Sequence, residues 1–302
     1  LHAQVRELLT QFGKVDVMWF DFSYPFADKP NDWTKGKNWE AWRAKELYKM
    51  VRDLMPEVVL DDRLDLPDGW DMKTPEQYQP REWVRVNGEP VVWEACQTFS
   101  GSWGYHRDEA SGKSIDQRVQ MLVDSVSKGG NLLLNVGPTG RGEFDERALD
   151  RLAGMGEWMK RHGRSIYGCT AAPQEFKVPQ DCRFTYNPKT KRLYVHVFAW
   201  PFKHLHLDGF ADRVAYAPLL HDTSELSMDA DEAHSKPYPD ADDRREILRI
   251  YDQKMRLEMT DETLEFVVKR TRGFVEGASA GTYYSGDHLN ALCRAVARIR
   301  LR

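Results

Sequence analysis

Four times in its first 137 residues the chain runs through a short apolar stretch and stops on a charged or amide side chain. The stretches are Val15-Asp16-Val17-Met18-Trp19-Phe20-Asp21-Phe22, Val58-Val59-Leu60-Asp61-Asp62-Arg63, Val91-Val92-Trp93-Glu94-Ala95-Cys96 and Asn131-Leu132-Leu133-Leu134-Asn135-Val136-Gly137. Helical spacing fills much of the chain between and after them. Trp39, Trp42, Leu47, Met50, Val51 and Leu54 follow a potential cap at Asn38 and end at Pro56; a second helix runs from about Ser114 to Lys128 and stops at Gly129-Gly130; a third spans about Glu146 to Arg161. Continuous apolar strands alternating with helices fold as a parallel sheet covered on both faces, so the expected class is α/β. Polar groups at the strand ends (Asp21, Arg63, Glu94, Asn135) match the mouth of a (β/α) barrel, where chemistry gathers. A closed barrel of that kind has eight strands, so these account for a partial, TIM-like one, and the missing N-terminal half-barrel is an expected partner.

In the first stretch Val15, Val17, Trp19 and Asp21 share one parity, and side chains two apart on a strand point to the same side. Trp19 and Asp21 are therefore expected to project together. Asp16, on the other parity at the start of the strand, reads as a solvated or turn carboxylate. Asp21 lies among aromatics that would desolvate it, which is costly unless partners or function hold it there. On these residues alone a structural and a catalytic Asp21 are equally supported.

Composition excludes several alternatives. A net charge of -4 gives no electrostatic footprint for nucleic acid or an anionic membrane, and no run reaches transmembrane length. Cys96, Cys169, Cys182 and Cys293 form no CxxC pair, which argues against zinc and a disulfide framework; Cys96 reads as a buried free thiol. Gly137 to Gly142 has the glycine spacing of a P-loop, but Glu143-Phe144 stands where Lys and Ser or Thr are needed, so it reads as a turn. His204, His206 and Asp208 alternate as metal ligands on a strand could, yet read as surface residues. No cofactor is expected. Ten tryptophans suit stacking on sugar faces as well as core packing. The compartment is not readable: no signal peptide is visible, and the chain opens at Leu1 in a helical pattern (Val5, Leu8, Leu9), so a preceding segment is expected.

The first stretch, Asp61-Asp62-Arg63, Trp70-Asp71-Met72-Lys73-Thr74-Pro75-Glu76, Ser102-Trp103-Gly104-Tyr105 and Gly129 to Pro138 occur in the order and rough spacing of the family 29 glycoside hydrolases, the α-L-fucosidases. The resemblance covers residues 1 to about 228. It implies a retaining hydrolase acting on a fucosylated glycan or glycoside, built from an N-terminal barrel (here its C-terminal half, 1–168) and a C-terminal β-sandwich (here partial, 171–228). It makes Asp21 the nucleophile and Glu76 the acid/base, with Trp19 and Arg63 contacting the sugar. Glu94 is the alternative acid/base; its bland reading is a strand-end carboxylate paired with a base such as Arg63. The bland reading of Arg63 is an ion pair with Asp61 or Asp62.

From about Ala171 the pattern turns antiparallel. Arg183 to Tyr186 and Arg192 to Trp200 alternate around a turn at Asn187-Pro188-Lys189. After Met228 it changes again. Residues 229–236 read as a linker or junction and 237–302 as helical, with helices from Asp242 to Tyr251, from Thr260 to about Arg270 and from Asp287 to the end. The segments Arg244-Arg245-Glu246-Ile247-Leu248-Arg249, Arg270-Thr271-Arg272-Gly273-Phe274 and Ser285-Gly286-Asp287 resemble the helical lid of an AAA+ ATPase, without a Walker motif before them. The expectations are therefore a fucosidase, weak or inactive as this chain alone, or a non-catalytic fusion or lid-bearing interaction protein.

Overall fold

The computed structural model describes residues 1–21, 23–24, 37–109, 112–199, 205–210, 213–229, 234–236, 260–262 and 296–300. The chain divides into two compact units, residues 1–104 with 128–137, and residues 105–127 with 138–302.

The first unit is built on parallel strands. Helix α1 (His2–Gln11) precedes strand β1 (Val17–Met18), and α2 (Ala44–Leu54) leads into β2 (Val59–Leu60). β3 (Met72–Lys73) is followed by a hairpin of β4 (Arg85–Val86) and β5 (Glu89–Pro90), then by β6 (Val92–Thr98) and β7 (Asn131–Asn135). β1 pairs with β2, and β3-β6-β7 form a second parallel set. A 2.8 Å bond from the Asp71 N–H to the Leu60 carbonyl links the two sets. Both helices turn their apolar stripes to the strands: Val5, Leu9, Ala44, Leu47 and Val51 pack with Phe20, Val58, Leu60 and Leu64. Arg52 at the end of α2 donates to the Val58 carbonyl (2.6 Å) and to Asp71 (2.5 Å), whose carboxylate also accepts from Leu60 N–H (2.7 Å). That network fixes where β2 ends.

The hairpin turns at Asn87-Gly88, both at positive φ (53° and 85°), as a two-residue turn between twisted strands requires. Trp93 is fully buried, its indole N–H donating to the Lys128 carbonyl (3.2 Å). Gly130 lies so close that a Cβ there would stand 2.2 Å from the ring, which explains why a glycine precedes β7.

The second unit begins with α3 (Ile115–Ser127), opened by a reciprocal cap in which Ser114 Oγ accepts from Gln117 N–H and Gln117 Oε1 accepts from Ser114 N–H. α4 (Glu146–His162) is capped by Asp145, which accepts from Ala148 N–H at 2.9 Å. The strands that follow are β8 (Thr170–Ala171), β9 (Cys182–Asn187), β10 (Arg192–Val197), β11 (Leu205–His206), β12 (Ser227–Asp229), β13 (His234–Lys236) and β14 (Val296–Arg300). They form two antiparallel sheets, ordered β14-β10-β9-β8 and β11-β13-β12. Phe176, Cys182, Phe184, Leu193, Val195, Val197, Leu205, Leu207 and Phe210 share one core. A second cluster joins α3 and α4 to this sheet through Val119, Val123, Trp158, Ile166 and Tyr194. Behind Trp158, His162 stacks at 4.8 Å and His196 at 6.4 Å.

Several expectations are corrected. Residues 296–300 form a strand and do not end a helix, because the free edge of β10 offers a ladder that Val296-Ala297-Arg298-Ile299-Arg300, with two β-branched residues, can complete. Within the stretch read as a linker, His234–Lys236 is the central strand of its sheet. The first long helix begins at Ala44, after a left-handed Arg43 (φ 52°); Asn38 caps the preceding turn by accepting from Ala41 N–H at 3.0 Å. Met72–Lys73, which sequence reading assigned to no element, is a parallel strand. Thr260 does precede helical residues, Asp261 and Glu262. The helix at 242–251, the AAA+-like segments, Cys293 and His204 lie outside the described residues. Cys96, Cys169 and Cys182 are free thiols. Among the described residues no helix is long and apolar enough to cross a membrane, and no group of three His, Cys, Asp or Glu side chains is placed to hold a metal ion.

Candidate active site

The C-terminal ends of β1, β2, β3 and β7 open on one cleft of about 1000 Å³ lined by Trp19, Asp21, Ser23, Tyr24, Asp62, Arg63, Asp65, Thr74, Glu76, Cys96, Trp103, Leu133 and Asn135. The β1 alternation explains the first two. Met18 and Phe20 pack toward the helices, so Trp19 and Asp21 project to the other side, as their parity predicts.

Arg63 organises the site. Its Nη1 lies 3.2 Å from Asp21 Oδ1 and 2.6 Å from Glu76 Oε2, and its guanidinium sits 4.4 Å over the Trp19 ring. Arg63 thus bonds neither Asp61 nor Asp62 through its side chain, and it is not the partner of Glu94. Asp62 instead accepts from both the backbone and the hydroxyl of Thr74 (3.0 and 2.6 Å) and pairs with Lys73 (3.3 Å). Thr74 Oγ1 accepts in turn from Arg63 Nε at 3.0 Å. Thr74 holds the planar fork through Nε and through Nη2, which donates to its carbonyl at 3.4 Å, and this leaves Nη1 to bridge the two carboxylates.

Two oxygens 3.2 and 2.6 Å from one nitrogen lie no more than about 5.8 Å apart, short of the ~6.5–9.5 Å between carboxyl groups that leaves room for a water in a single displacement. The spacing suits attack and proton transfer on one small ring held between them. Asp21 is 46% exposed at this mouth, so its neighbours hold it by charge and do not desolvate it.

Glu76 is mounted more firmly than a loop residue. Its backbone bridges to Cys96 of β6, with Cys96 N–H donating to the Pro75 carbonyl (2.8 Å) and Gln77 N–H to the Cys96 carbonyl (2.9 Å). Gln77 adopts φ 59°, a strained conformation for a side-chain-bearing residue, where the chain turns away. Glu94, on β6, is not among the lining residues. Burial raises its carboxyl above the ordinary range, and the Trp19 indole opposes the shift.

Sequence reading missed Tyr24, Thr74 and Asp65 as cleft residues. Thr74 stands inside the Lys-Thr-Pro-Glu motif, the only signal that could have found it. Burial raises the Tyr24 hydroxyl, with Asp21 and Glu76 adding to the shift, and burial raises Asp65 too. Among the described residues, Ser23 Oγ, Asp65 Oδ2 and Asn135 Oδ1 are buried in the cleft wall without a hydrogen-bond partner. Buried polar atoms ordinarily have partners, so a ligand rich in hydroxyls fits this wall.

Comparison with known proteins gives the same answer. Residues 1–164 match the family described as alpha-L-fucosidase. The plasma alpha-L-fucosidase of Rattus norvegicus is 32% identical over 206 residues, covering 66% of this chain and 42% of the relative; that of Homo sapiens is 40% identical over 116 residues, covering 37% and 25%. Alpha-L-fucosidase isoenzyme 1 from Paenibacillus thiaminolyticus superposes with a TM-score of 0.71 at 31% identity, covering all of this chain and 61% of that one. The chain thus spans less than two thirds of each of these relatives. A family 29 fucosidase from Bacteroides thetaiotaomicron, 20% identical with a TM-score of 0.67, shares the mixed α/β fold. With more than half its length matched, the chain belongs to the α-L-fucosidase family, glycoside hydrolase family 29.

Proposed function

We propose that this chain carries the catalytic carboxylates of a retaining α-L-fucosidase acting on fucosylated glycans or glycosides. Asp21 attacks the anomeric carbon while Glu76 gives its proton to the departing oxygen; Glu76 then takes a proton from the water that cleaves the fucosyl ester, releasing fucose and restoring both groups. Trp19 offers its ring face to the sugar, and Arg63 and Asn135 meet its hydroxyls. The observation that carries this reading is the single Arg63 nitrogen bonded to both carboxylates, because it brings them within the short spacing of a double displacement. That contact also ties a Glu76 carboxylate oxygen to the guanidinium. Proton delivery therefore requires Arg63 to turn from Glu76 to the sugar as the substrate enters.

A second assignment has one observation in its favour. Glu94 is half-buried with its carboxyl raised, as a proton donor should be, and it neighbours Trp19.

The parallel strands are read as part of a (β/α) barrel and the two antiparallel sheets as part of a β-sandwich. β1 and β7 each have one edge without a partner strand among the described residues, and such edges take up further strands. The fully active assembly includes strands beyond these, and this chain alone turns over slowly.

The test is Asp21→Ala on an aryl α-L-fucoside. Turnover should fall nearly to nothing, and azide or formate should partly restore it by entering the space of the lost carboxylate. Full activity in the variant overturns the assignment.

A further inference from the structure

Asp61 is fully buried, two residues before Arg63 and across from β1, and its carboxyl accepts the Phe20 N–H at 3.1 Å. Phe20 stands between Trp19 and Asp21. The other carboxyl oxygen, Oδ2, is buried with no hydrogen-bond partner among the described residues. Burial, with Asp62 adding to it, lifts this group to about 7, while the Phe20 and Arg63 backbone N–H groups both favour its charge. A half-satisfied buried carboxyl is an expensive way to meet one backbone donor. What it accomplishes is a tie between the end of β1, which carries Asp21, and the end of β2, which carries Arg63.

We propose that Asp61 is a positioning residue: through the Phe20 backbone N–H it holds Asp21 at the distance from Arg63 and Glu76 that the reaction needs. The proposal rests on the fucosidase reading and deepens it. Loss of the tie lets the Trp19-Phe20-Asp21 segment shift; a stacking ring tolerates a small shift better than a nucleophile aimed at one carbon, so the cost falls mainly on rate.

The experiment compares the chain with Asp61→Ala and Asp61→Asn in two readouts. Hydrogen exchange at the Phe20 amide, followed by NMR, should be at least about tenfold faster in the Ala variant and near the parent in Asn, which keeps the acceptor oxygen. On an aryl α-L-fucoside, kcat should fall about tenfold or more in the Ala variant with KM within about threefold, and Asn should recover most of it. Unchanged exchange in Asp61→Ala overturns the tie itself, whatever the chain catalyses. Faster exchange with unchanged kcat, or with a loss confined to KM, makes Asp61 structural only and overturns its positioning role. A parent that protects Phe20 but never cleaves a fucoside overturns the fucosidase reading and the positioning role with it, and leaves the tie standing.

Discussion

Acid should unfold the antiparallel unit through two histidines buried in it. His162 and His196 are 3% and 2% exposed, stacked on Trp158, and burial pushes them from 6.5 to about 4 and about 3; His162 also opposes charge on His196, and His221 and Arg161 oppose it on His162 against the favourable Trp158 carbonyl. His162 Nδ1 meets the Trp158 carbonyl at 3.0 Å and His196 Nε2 meets Thr185 Oγ1 at 2.9 Å, so both rings sit neutral in fixed hydrogen bonds. Because their native pKa values lie below the unfolded one, unfolding takes up protons as pH falls from about 6.5 toward 4, and stability drops across that window. At pH 5 each histidine contributes a loss of about 2 kcal/mol relative to pH 7.5, and together about 4. Replacing His162 by Phe keeps a flat ring, gives up one hydrogen bond worth about 1 kcal/mol, and removes the titrating group. Urea denaturation followed by circular dichroism at pH 7.5 and 5.0 should therefore show His162→Phe less stable at pH 7.5, with its loss on acidification smaller than the parent's by about 2 kcal/mol. Equal losses in parent and variant would refute the argument.

Two further outcomes follow from the site and its support. Glu76→Ala should slow fucosides with poor leaving groups far more than activated aryl fucosides, because an acid matters only where the departing oxygen is basic; that selectivity in Glu94→Ala instead would move the role to Glu94. Gly130→Ala should destabilise the chain by about 1–3 kcal/mol in urea titration, since a Cβ would stand 2.2 Å from the buried Trp93 ring; an unchanged midpoint would show that the ring can yield.

The parallel elements were legible because each combined an apolar run with a polar end, a pattern that survives without tertiary context. Met72–Lys73 escaped, since two residues carry no periodicity and pairing with β6 alone makes them a strand. Val296–Arg300 was misread for a related reason: its apolar spacing fits a helix, and the open edge of β10 decides otherwise. In the site, Trp19, Asp21, Arg63 and Glu76 could be named from motifs, and the cleft gathers all four. Their geometry could not be named. That Arg63 chooses Asp21 and Glu76 over its sequence neighbours depends on Thr74 and Asp62 fixing its fork, and the role of Asp61 depends on a backbone N–H forty-one residues away.

The most direct measurement is the site of covalent labelling by 2-deoxy-2-fluoro-α-L-fucosyl fluoride, read by mass spectrometry of the digested chain. Fluorine at C2 slows breakdown of a fucosyl ester, so a single turnover accumulates even in a slow catalyst. A double displacement at this cleft predicts one fluorofucosyl group, carried on Asp21 and absent from Asp21→Ala. Labelling of Glu76 or Glu94, or fucoside cleavage with no adduct on Asp21, would contradict it.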